Sequence, residues 1–472
     1  MVEAGLDLAD LAEEIGGRLV SPDLGVHARV FGITHDSRTV ESGVMFACVP
    51  GAVVDGHDYA EEAAAAGAVA LLTERELNVD VPQLVVPDVR RSLGPASAAV
   101  FDHPDRDIQV VGVTGTNGKT TVTHMLGAML AHLGRSVEVL GTLSGARTTP
   151  EAPELFARLA DMRARSVSYL AMEVSSHALE LHRVDGLRFS VGAFTNLSRD
   201  HLDFHPTMEA YFESKARLFG TDLSEAVVIN EDDPAGQRLI ERRPEATKYG
   251  IVQAVDLKLE GPTASFQWRQ LPVTLQMAGE HNVYNALCAA SVLETLGFEP
   301  VDVADAIGAI NPVPGRMEWV AIGQPFRVVV DYSHTPDSLR AALIACRFAA
   351  GPGGKVRVVF GCGGNRDASK RPLMGTVAAE GADQVFVTSD NPRLEDPLAI
   401  IEAILAGIPD RGSVIVEPDR QAAIDQAVAQ AAAGDVVLIA GKGHETTQTI
   451  GSVVVDFDDR IVAVNALQRA GF

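Results

Sequence analysis

Short β-branched runs alternate along this chain with stretches whose apolar residues recur at helical spacing, the mark of parallel strands joined by crossover helices. Ile108–Val113 is an apolar run of strand length. After a glycine-containing loop, Val122, Met125, Leu126, Met129, Leu130 and Leu133 keep to one helix face until Gly134, which predicts a helix with a glycine cap. Val167–Glu173 is a second apolar strand, closed by an acid. Further on, Val328–Val330, Val356–Phe360, Gln384–Val387, Val414–Val416 and Val436–Ala440 are predicted as five strands with helical stretches between them. The fold class is α/β. Two stretches interrupt the alternation: Phe101-Asp102-His103-Pro104, and Asn311-Pro312-Val313-Pro314-Gly315, whose prolines and glycine break strand and helix alike. Cuts there give three domains of ordinary size, residues 1–103, 104–316 and 317–472. The central one is expected to build a mostly parallel sheet around its loop, and the last to be Rossmann-like, with ligand-binding loops at one sheet edge.

Charge narrows the class of partner. Lys and Arg total 39 against 63 Asp and Glu, a net charge of -24, which excludes a general affinity for nucleic acid or an anionic membrane. Any phosphate must be held by a local site. Cys48, Cys288, Cys346 and Cys362 lie far apart and fit neither a disulfide framework nor a zinc knuckle, as expected of a reducing cytoplasm. The first residues, Met1 to Asp7, carry early acids and no basic segment before an apolar stretch, unlike a secretory leader. The longest small and apolar run, Ala63–Leu72, is well short of the roughly 20 residues that span a bilayer. A soluble cytoplasmic monomer that acts on small molecules is the expectation.

Chemistry enters at the loop Thr114-Gly115-Thr116-Asn117-Gly118-Lys119-Thr120-Thr121, set between the first strand and its helix. Glycines there let backbone N–H groups and the helix N-terminus face a triphosphate; Lys119 can reach its terminal phosphates and Thr120 can offer a hydroxyl to magnesium. Val113 stands where the usual phosphate loop has its first glycine, so a tight turn with no nucleotide is the competing reading. Glu173, at the carboxyl end of the next strand, is a candidate metal ligand. The segment Thr195 to His205 is dense in His and Asp and offers His201 as a second, although such histidines serve equally as structural hydrogen-bonders.

In the last third, the strand-following loops are Gly361 to Asp367, Thr388 to Arg393 and Gly441 to Glu445. If they converge, Arg366 and Arg393 form a cationic pair suited to a carboxylate, while Glu445 and the backbone at Gly441 accept from an ammonium. Solvated surface arginines are the alternative.

Gly115-Thr116-Asn117-Gly118-Lys119-Thr120-Thr121, Met172-Glu173-Val174-Ser175-Ser176-His177, Asp200-His201-Leu202-Asp203 and Tyr211-Phe212-Glu213-Ser214-Lys215 together resemble the Mur ligase family, and the resemblance runs on to the C-terminus. It implies an ATP- and Mg²⁺-dependent ligase that activates a carboxylate of a UDP-linked muramoyl peptide as an acyl phosphate and joins it to an amino acid. It implies further that Lys215 is carbamoylated and, with Thr120, Glu173 and His201, serves the metal. Residues 115–121, Asn285, Arg316 and Asp331 match the family's ATP contacts, the last two supplied by domain closure. Ser37 matches a contact to the UDP end; Thr148, Thr149, Ser175 and Arg183 match contacts to the muramoyl peptide, where Arg147 replaces a frequent Asn and the Gly141–Thr148 link is short. Asp390-Asn391-Pro392-Arg393 matches the motif of the branch that adds meso-diaminopimelate to UDP-N-acetylmuramoyl-L-alanyl-D-glutamate, with Arg366, Gly441 and Glu445 completing the pocket. Asn365 departs from the more frequent Asp. A lysine-adding sister ligase, a folylpolyglutamate-type synthetase and a nucleotide-dependent switch remain as alternatives.

Overall fold

The computed structural model describes residues 5–20, 28–51, 53–145 and 147–472. The first four residues, part of the segment judged unlike a leader, and Ala146 in the short Gly141–Thr148 link lie outside the described residues. Two compact units are present: residues 1–114, 134–193 and 213–227, and residues 115–133, 194–212 and 228–472.

The first unit opens with a five-stranded sheet in the order Arg18–Val20, Gln83–Val85, Ala70–Thr73, Val44–Ala47, Gly32–Thr34, parallel after its first, antiparallel pair. A second sheet includes, in this order, Val137–Leu140, Tyr169–Glu173, Gln109–Thr114, Phe189–Phe194 and Ser224–Asn230. Glu173 pairs in parallel register with Val113, so the acid stands at the sheet edge from which the phosphate loop departs. The two strands expected here, 108–113 and 167–173, are found at Gln109–Thr114 and Tyr169–Glu173.

In the second unit the helix Lys119–His132 starts directly after Gly118 (φ 90°), and Gly134 (φ 70°) lies just past its end, a left-handed exit that glycine makes without strain. An antiparallel sheet, Val255–Glu260, Thr263–Trp268, Leu271–Leu275, buries Trp268 completely. The C-terminal sheet has the order Glu318–Val320, Arg327–Asp331, Val436–Ala440, Val356–Phe360, Gln384–Val387, Val414–Val416. All pairs after the antiparallel first are parallel. Val436–Ala440 is buried along its whole length, which is why it is apolar without alternation. Leu339, Leu343 and Cys346 of the helix Pro336–Ala349 pack on one face with Met374 and Ile404; Ile424 and Val428, with Ala463 and Leu467, cover the other. Pro336 at the first helical turn and a capping box between Thr335 and Ser338 start that first helix cleanly. The last strand in sequence inserts between the second and third, so the strand order reverses beside it, and the loops after Phe360, Val387 and Ala440 leave neighbouring strand ends.

Candidate functional site

In the second unit the phosphate loop is laced to the His/Asp segment by side chains of both. The Thr116 hydroxyl donates to the Ser198 carbonyl (3.1 Å), accepts from the Ser198 amide (2.9 Å) and lies 3.2 Å from the Tyr211 hydroxyl. The Asn117 amide donates to Asn196 Oδ1 (2.9 Å), and the Asn117 carbonyl accepts from Thr195 (2.6 Å). A Cβ on Gly115 would overlap Thr195 Oγ1, and one on Gly118 would sit 2.5 Å from Asn285 Oδ1, so close packing explains both glycines. Lys119 Nζ donates to the Gly115 and Thr116 carbonyls at 2.9 and 2.8 Å, its ammonium held over the loop where a phosphate would dock.

Around this loop opens a cavity of about 630 Å³, lined among others by Asn117, Thr121, Asn285, Arg316 and Asp331. That volume is in the range of small-molecule and cofactor sites. Arg316 Nη2 donates to Thr120 Oγ1 (3.0 Å), and its guanidinium lies 4.3 Å above the Tyr332 ring, which stacks on His444. Asp331 accepts from the Met317 amide (2.8 Å) and the Ser333 amide (2.9 Å), which fixes the turn after its strand. The structure therefore brings Gly115 to Thr121, Asn285, Arg316 and Asp331 together.

His201 sits beside them in a left-handed conformation (φ 55°), 3.6 Å from Asp200 and edge-on to Tyr211. Asp200 is the hub here. Burial opposes its ionisation, but the hydrogen bond and charge of His334 and the Lys370 ammonium hold its carboxyl well below the usual carboxylate range. Lys370 is 3.2 Å and His334 3.4 Å away. Neither partner was singled out from the sequence; their meeting at Asp200 is a tertiary contact between segments far apart in the chain, which no local pattern records.

In the first unit Glu173 is 1% exposed and accepts from the Thr142 amide (2.7 Å). Thr149 donates to the Glu173 carbonyl (2.9 Å) and accepts from the Ser175 amide (3.1 Å), and Arg183 Nη1 donates to the Thr149 carbonyl (3.3 Å). Thr142 and Thr148 hydroxyls are 3.1 Å apart. Thr148, Thr149, Ser175 and Arg183 thus form one cluster around the Glu173 strand end, steadied by Glu151, which pairs with both Arg183 and Arg90 at 2.8 Å. Ser37 begins a 3-10 turn capped by Asp36, whose carboxyl the Arg38 hydrogen bond pulls down to about 2. Lys215 closes the helix Met208–Ala216 and is 1% exposed.

These donors fit magnesium by chemistry. Mg²⁺ on a nucleotide needs one or two protein oxygens, the rest coming from phosphate and water. Thr120 could offer a hydroxyl oxygen and Glu173 a carboxylate, and conversion of Lys215 to a carbamate would turn a buried cation into an anionic oxygen donor. Among the described residues no group of three or more His, Cys, Asp or Glu is arranged to hold a metal ion by itself.

The three C-terminal loops do converge. Gly361 lies against Thr388 and Asp390, Gly364 against Pro392, and Gly441 against Asp390 Oδ2. Arg393 Nη1 donates to the Gly364 carbonyl (2.8 Å), and Gly363 lies between the side chains of Arg393 and exposed Arg366. Glu445 accepts from Asn391 (2.7 Å) and from fully buried Lys442 (3.2 Å). Asn365 is left-handed (φ 52°), a conformation Asn tolerates, and its Oδ1 accepts from the Leu394 amide (3.1 Å). That is how the unusual residue serves the loop. Lys442 was within reach of sequence reasoning, inside the Gly441 to Glu445 segment, but carried no signal of its role.

No helix among the described residues is long and apolar enough to cross a membrane. Comparison with known proteins covers the chain from end to end. The profile described as Mur ligase family, catalytic domain, matches residues 29–111; Mur ligase middle domain matches 113–293; Mur ligase, glutamate ligase domain, matches 315–443. The UDP-N-acetylmuramoyl-L-alanyl-D-glutamate--2,6-diaminopimelate ligase of Streptomyces avermitilis is 42% identical, over 98% of this chain and 96% of its own. The enzyme of the same name from Geobacillus kaustophilus is 43% identical over 95% and 96%. A solved structure of a ligase so named superposes with a TM-score of 0.70 at 32% identity, covering 99% of this chain and all of that one. The protein belongs to the Mur ligase family and shares its three-domain α/β architecture.

Proposed function

We propose that this protein is the ATP-dependent amide ligase that adds meso-2,6-diaminopimelate to UDP-N-acetylmuramoyl-L-alanyl-D-glutamate, in the cytoplasmic stage of peptidoglycan synthesis. The observation that carries the reading is the convergence of the loops that bear Arg366, Asn391, Arg393 and Glu445, within a chain 42% identical to a ligase of that name over nearly its full length. A pocket with cationic and anionic sides suits an amino acid that brings an extra carboxylate; L-lysine has none for Arg393 to hold.

In this reading residues 1–103 grip the UDP end through Ser37, 104–316 hold ATP, and 317–472 hold the amino acid. Thr148, Thr149, Ser175 and Arg183 orient the muramoyl peptide. Thr120, Glu173, His201 and carbamoylated Lys215 are the residues that would hold magnesium, which when bound would neutralise charge on the phosphates. Gly115 to Gly118 direct backbone N–H groups at the triphosphate, Lys119 stabilises charge on the transferring phosphoryl group, and Thr121, Asn285, Arg316 and Asp331 fix the nucleotide. The D-glutamyl carboxylate takes the γ-phosphoryl group of ATP, releasing ADP; the diaminopimelate amine then attacks the acyl phosphate, and loss of phosphate and of a proton from the nitrogen leaves an amide. Asp390, Asn391, Pro392, Arg393, Arg366, Gly441 and Glu445 hold that amine's owner in line, which makes much of the catalysis a matter of position. The enzyme acts as a monomer.

Phosphate release from ATP with the UDP-dipeptide, comparing meso-diaminopimelate with L-lysine at equal concentration, is the test. Release with diaminopimelate alone is expected. Preference for lysine would overturn the Arg393 argument, and silence with both would move the protein to another step of the same chemistry. A Lys215→Ala variant regaining activity with a short-chain carboxylic acid would be the expected sign of the carbamate.

A further inference from the structure

The helix Arg420–Ala429 begins with a guanidinium that is 1% exposed, and the helix Asp459–Arg469 begins with a carboxylate that is fully buried. They face each other fork to fork: Arg420 Nε donates to Asp459 Oδ1 at 2.8 Å and Nη2 to Oδ2 at 2.7 Å. A buried ion pair is by itself weak evidence for stability, since desolvation offsets much of its attraction. The remaining donors show what the pair is for. Nη2 also donates to the Ala440 carbonyl (2.9 Å), and Nη1 to the Ser389 carbonyl (3.3 Å). Ala440 immediately precedes Gly441, and Ser389 immediately precedes Asp390.

One planar group therefore ties together the roots of two loops whose strands are not neighbours, because Val356–Phe360 lies between Gln384–Val387 and Val436–Ala440. Above that tie, Gly441 packs on Asp390 Oδ2 and Asn391 donates to Glu445. Gln448 donates to the Asp390 carbonyl (2.7 Å), and the Thr449 amide to Asn391 Oδ1 (2.9 Å). Burial lowers the pKa of Arg420, but Asp459, with Asp390 and Glu445 behind it, more than offsets this, so the fork stays charged. Lysine carries the same charge without the planar fork and cannot serve Asp459 and both carbonyls in this geometry.

We propose that Arg420, oriented by Asp459, is a positioning residue for the amino-acid pocket: it sets the spacing between the Asp390–Arg393 and Gly441–Glu445 loops and so the affinity for the amino acid that is ligated. This rests on the ligase reading above. The test is Arg420→Lys, with Asp459→Asn as the second variant should the first not fold. Losing one or two charge-assisted bonds at the loop roots is expected to raise KM for meso-diaminopimelate about tenfold or more while KM for ATP stays within about twofold. Hydrogen exchange should rise in residues 388–394 and 441–446 and not in the phosphate loop, residues 114–121. A folded variant with unchanged KM for diaminopimelate and unchanged exchange in both loops overturns the proposal, as does a loss spread equally over ATP, diaminopimelate and all segments. If the parent protein itself releases no phosphate with diaminopimelate, the ligase reading has failed, and the exchange comparison still decides whether Arg420 fixes the two loops.

Discussion

Single atoms set the tolerance of the phosphate loop. Gly118 combines φ 90° with an Asn285 oxygen 2.5 Å from where a Cβ would be, so Gly118→Ala must strain the loop or push Asn285 out of its place in the cavity wall. An L-residue in that conformation costs about 1–2 kcal/mol, and KM for ATP is expected to rise roughly tenfold or more, measured by steady-state kinetics at saturating amino acid. Lys119→Ala should leave the thermal midpoint nearly unchanged and lower kcat by about a hundred- to a thousandfold, the usual loss for one group that stabilises developing charge. Retained turnover would remove Lys119 from the reaction. His444 gives a pH prediction. Burial, with Arg316 and other cations nearby, lowers its pKa to about 4, so it is neutral in the fold while the unfolded chain protonates near 6.5. A depressed pKa gives stability that is present above the unfolded value and lost as pH falls towards the folded one. The thermal midpoint of the parent protein should therefore drop relative to His444→Gln between about pH 6.5 and 4; parallel curves would show that His444 titrates normally. Residue-scale legibility was uneven. The Gly-Lys-Thr loop announces itself by spacing and the Asp390–Arg393 motif by its family resemblance, whereas Arg420, Lys370 and Lys442 are cations whose importance comes from burial between segments far apart in sequence, which no local pattern records.

At the scale of elements, strands buried on both faces were the easiest to read. Val356–Phe360, Gln384–Val387 and Val436–Ala440 occur at the expected residues because a parallel strand between helix layers is mostly apolar, and the partly exposed edge strand Val414–Val416 is found where its β-branched run predicts it. The antiparallel sheet Val255–Leu275 escaped notice: Asp256, Lys258, Glu260 and Gln267 on its open side dilute the apolar signal that Trp268 and Leu275 carry inward. The hairpin Thr447–Ile450 with Val453–Asp456 is exposed along its second strand and so has no core pattern to betray it, yet its Thr449 carbonyl accepts from the Arg393 amide (3.0 Å) and helps hold that residue at φ 52°. Strand order was hidden for another reason: the insertion of Val436–Ala440 beside Arg327–Asp331 is a choice of topology, not of local sequence. Helix Val89–Val100 offers a prediction at this scale. It passes so close to the Asp185 carbonyl that a Cβ on Gly94 would overlap it. The backbone cannot yield as a flexible side chain would, so Gly94→Ala is expected to destabilise the first unit by about 1–3 kcal/mol, seen in urea unfolding as a lower midpoint at an unchanged slope.

For the whole molecule, the division into two compact units turns ligand binding into a spatial test. Every residue assigned to the nucleotide itself, from Gly115 to Thr121 through Asn285, Arg316 and Asp331, belongs to the second unit, while Glu173 and Lys215 belong to the first. A ligand that binds only the folded state stabilises it by an amount set by its concentration, about 2.7 kcal/mol at a hundredfold excess over Kd. With ADP and a chelator present, that protection against hydrogen exchange should fall on residues 115–121, 281–285 and 316–333. Replacing the chelator with magnesium should add protection around Glu173 and Lys215, the residues of the first unit proposed to hold the metal. The residues at Ser37 and the Asp390–Arg393 loop serve as internal controls, since neither is asked to touch nucleotide or metal, and each should respond only to its own substrate. Protection at Glu173 and Lys215 that is the same with and without magnesium would strip both of their metal role, leaving Glu173 as the carboxylate that fixes Thr142 and Lys215 as a buried structural cation.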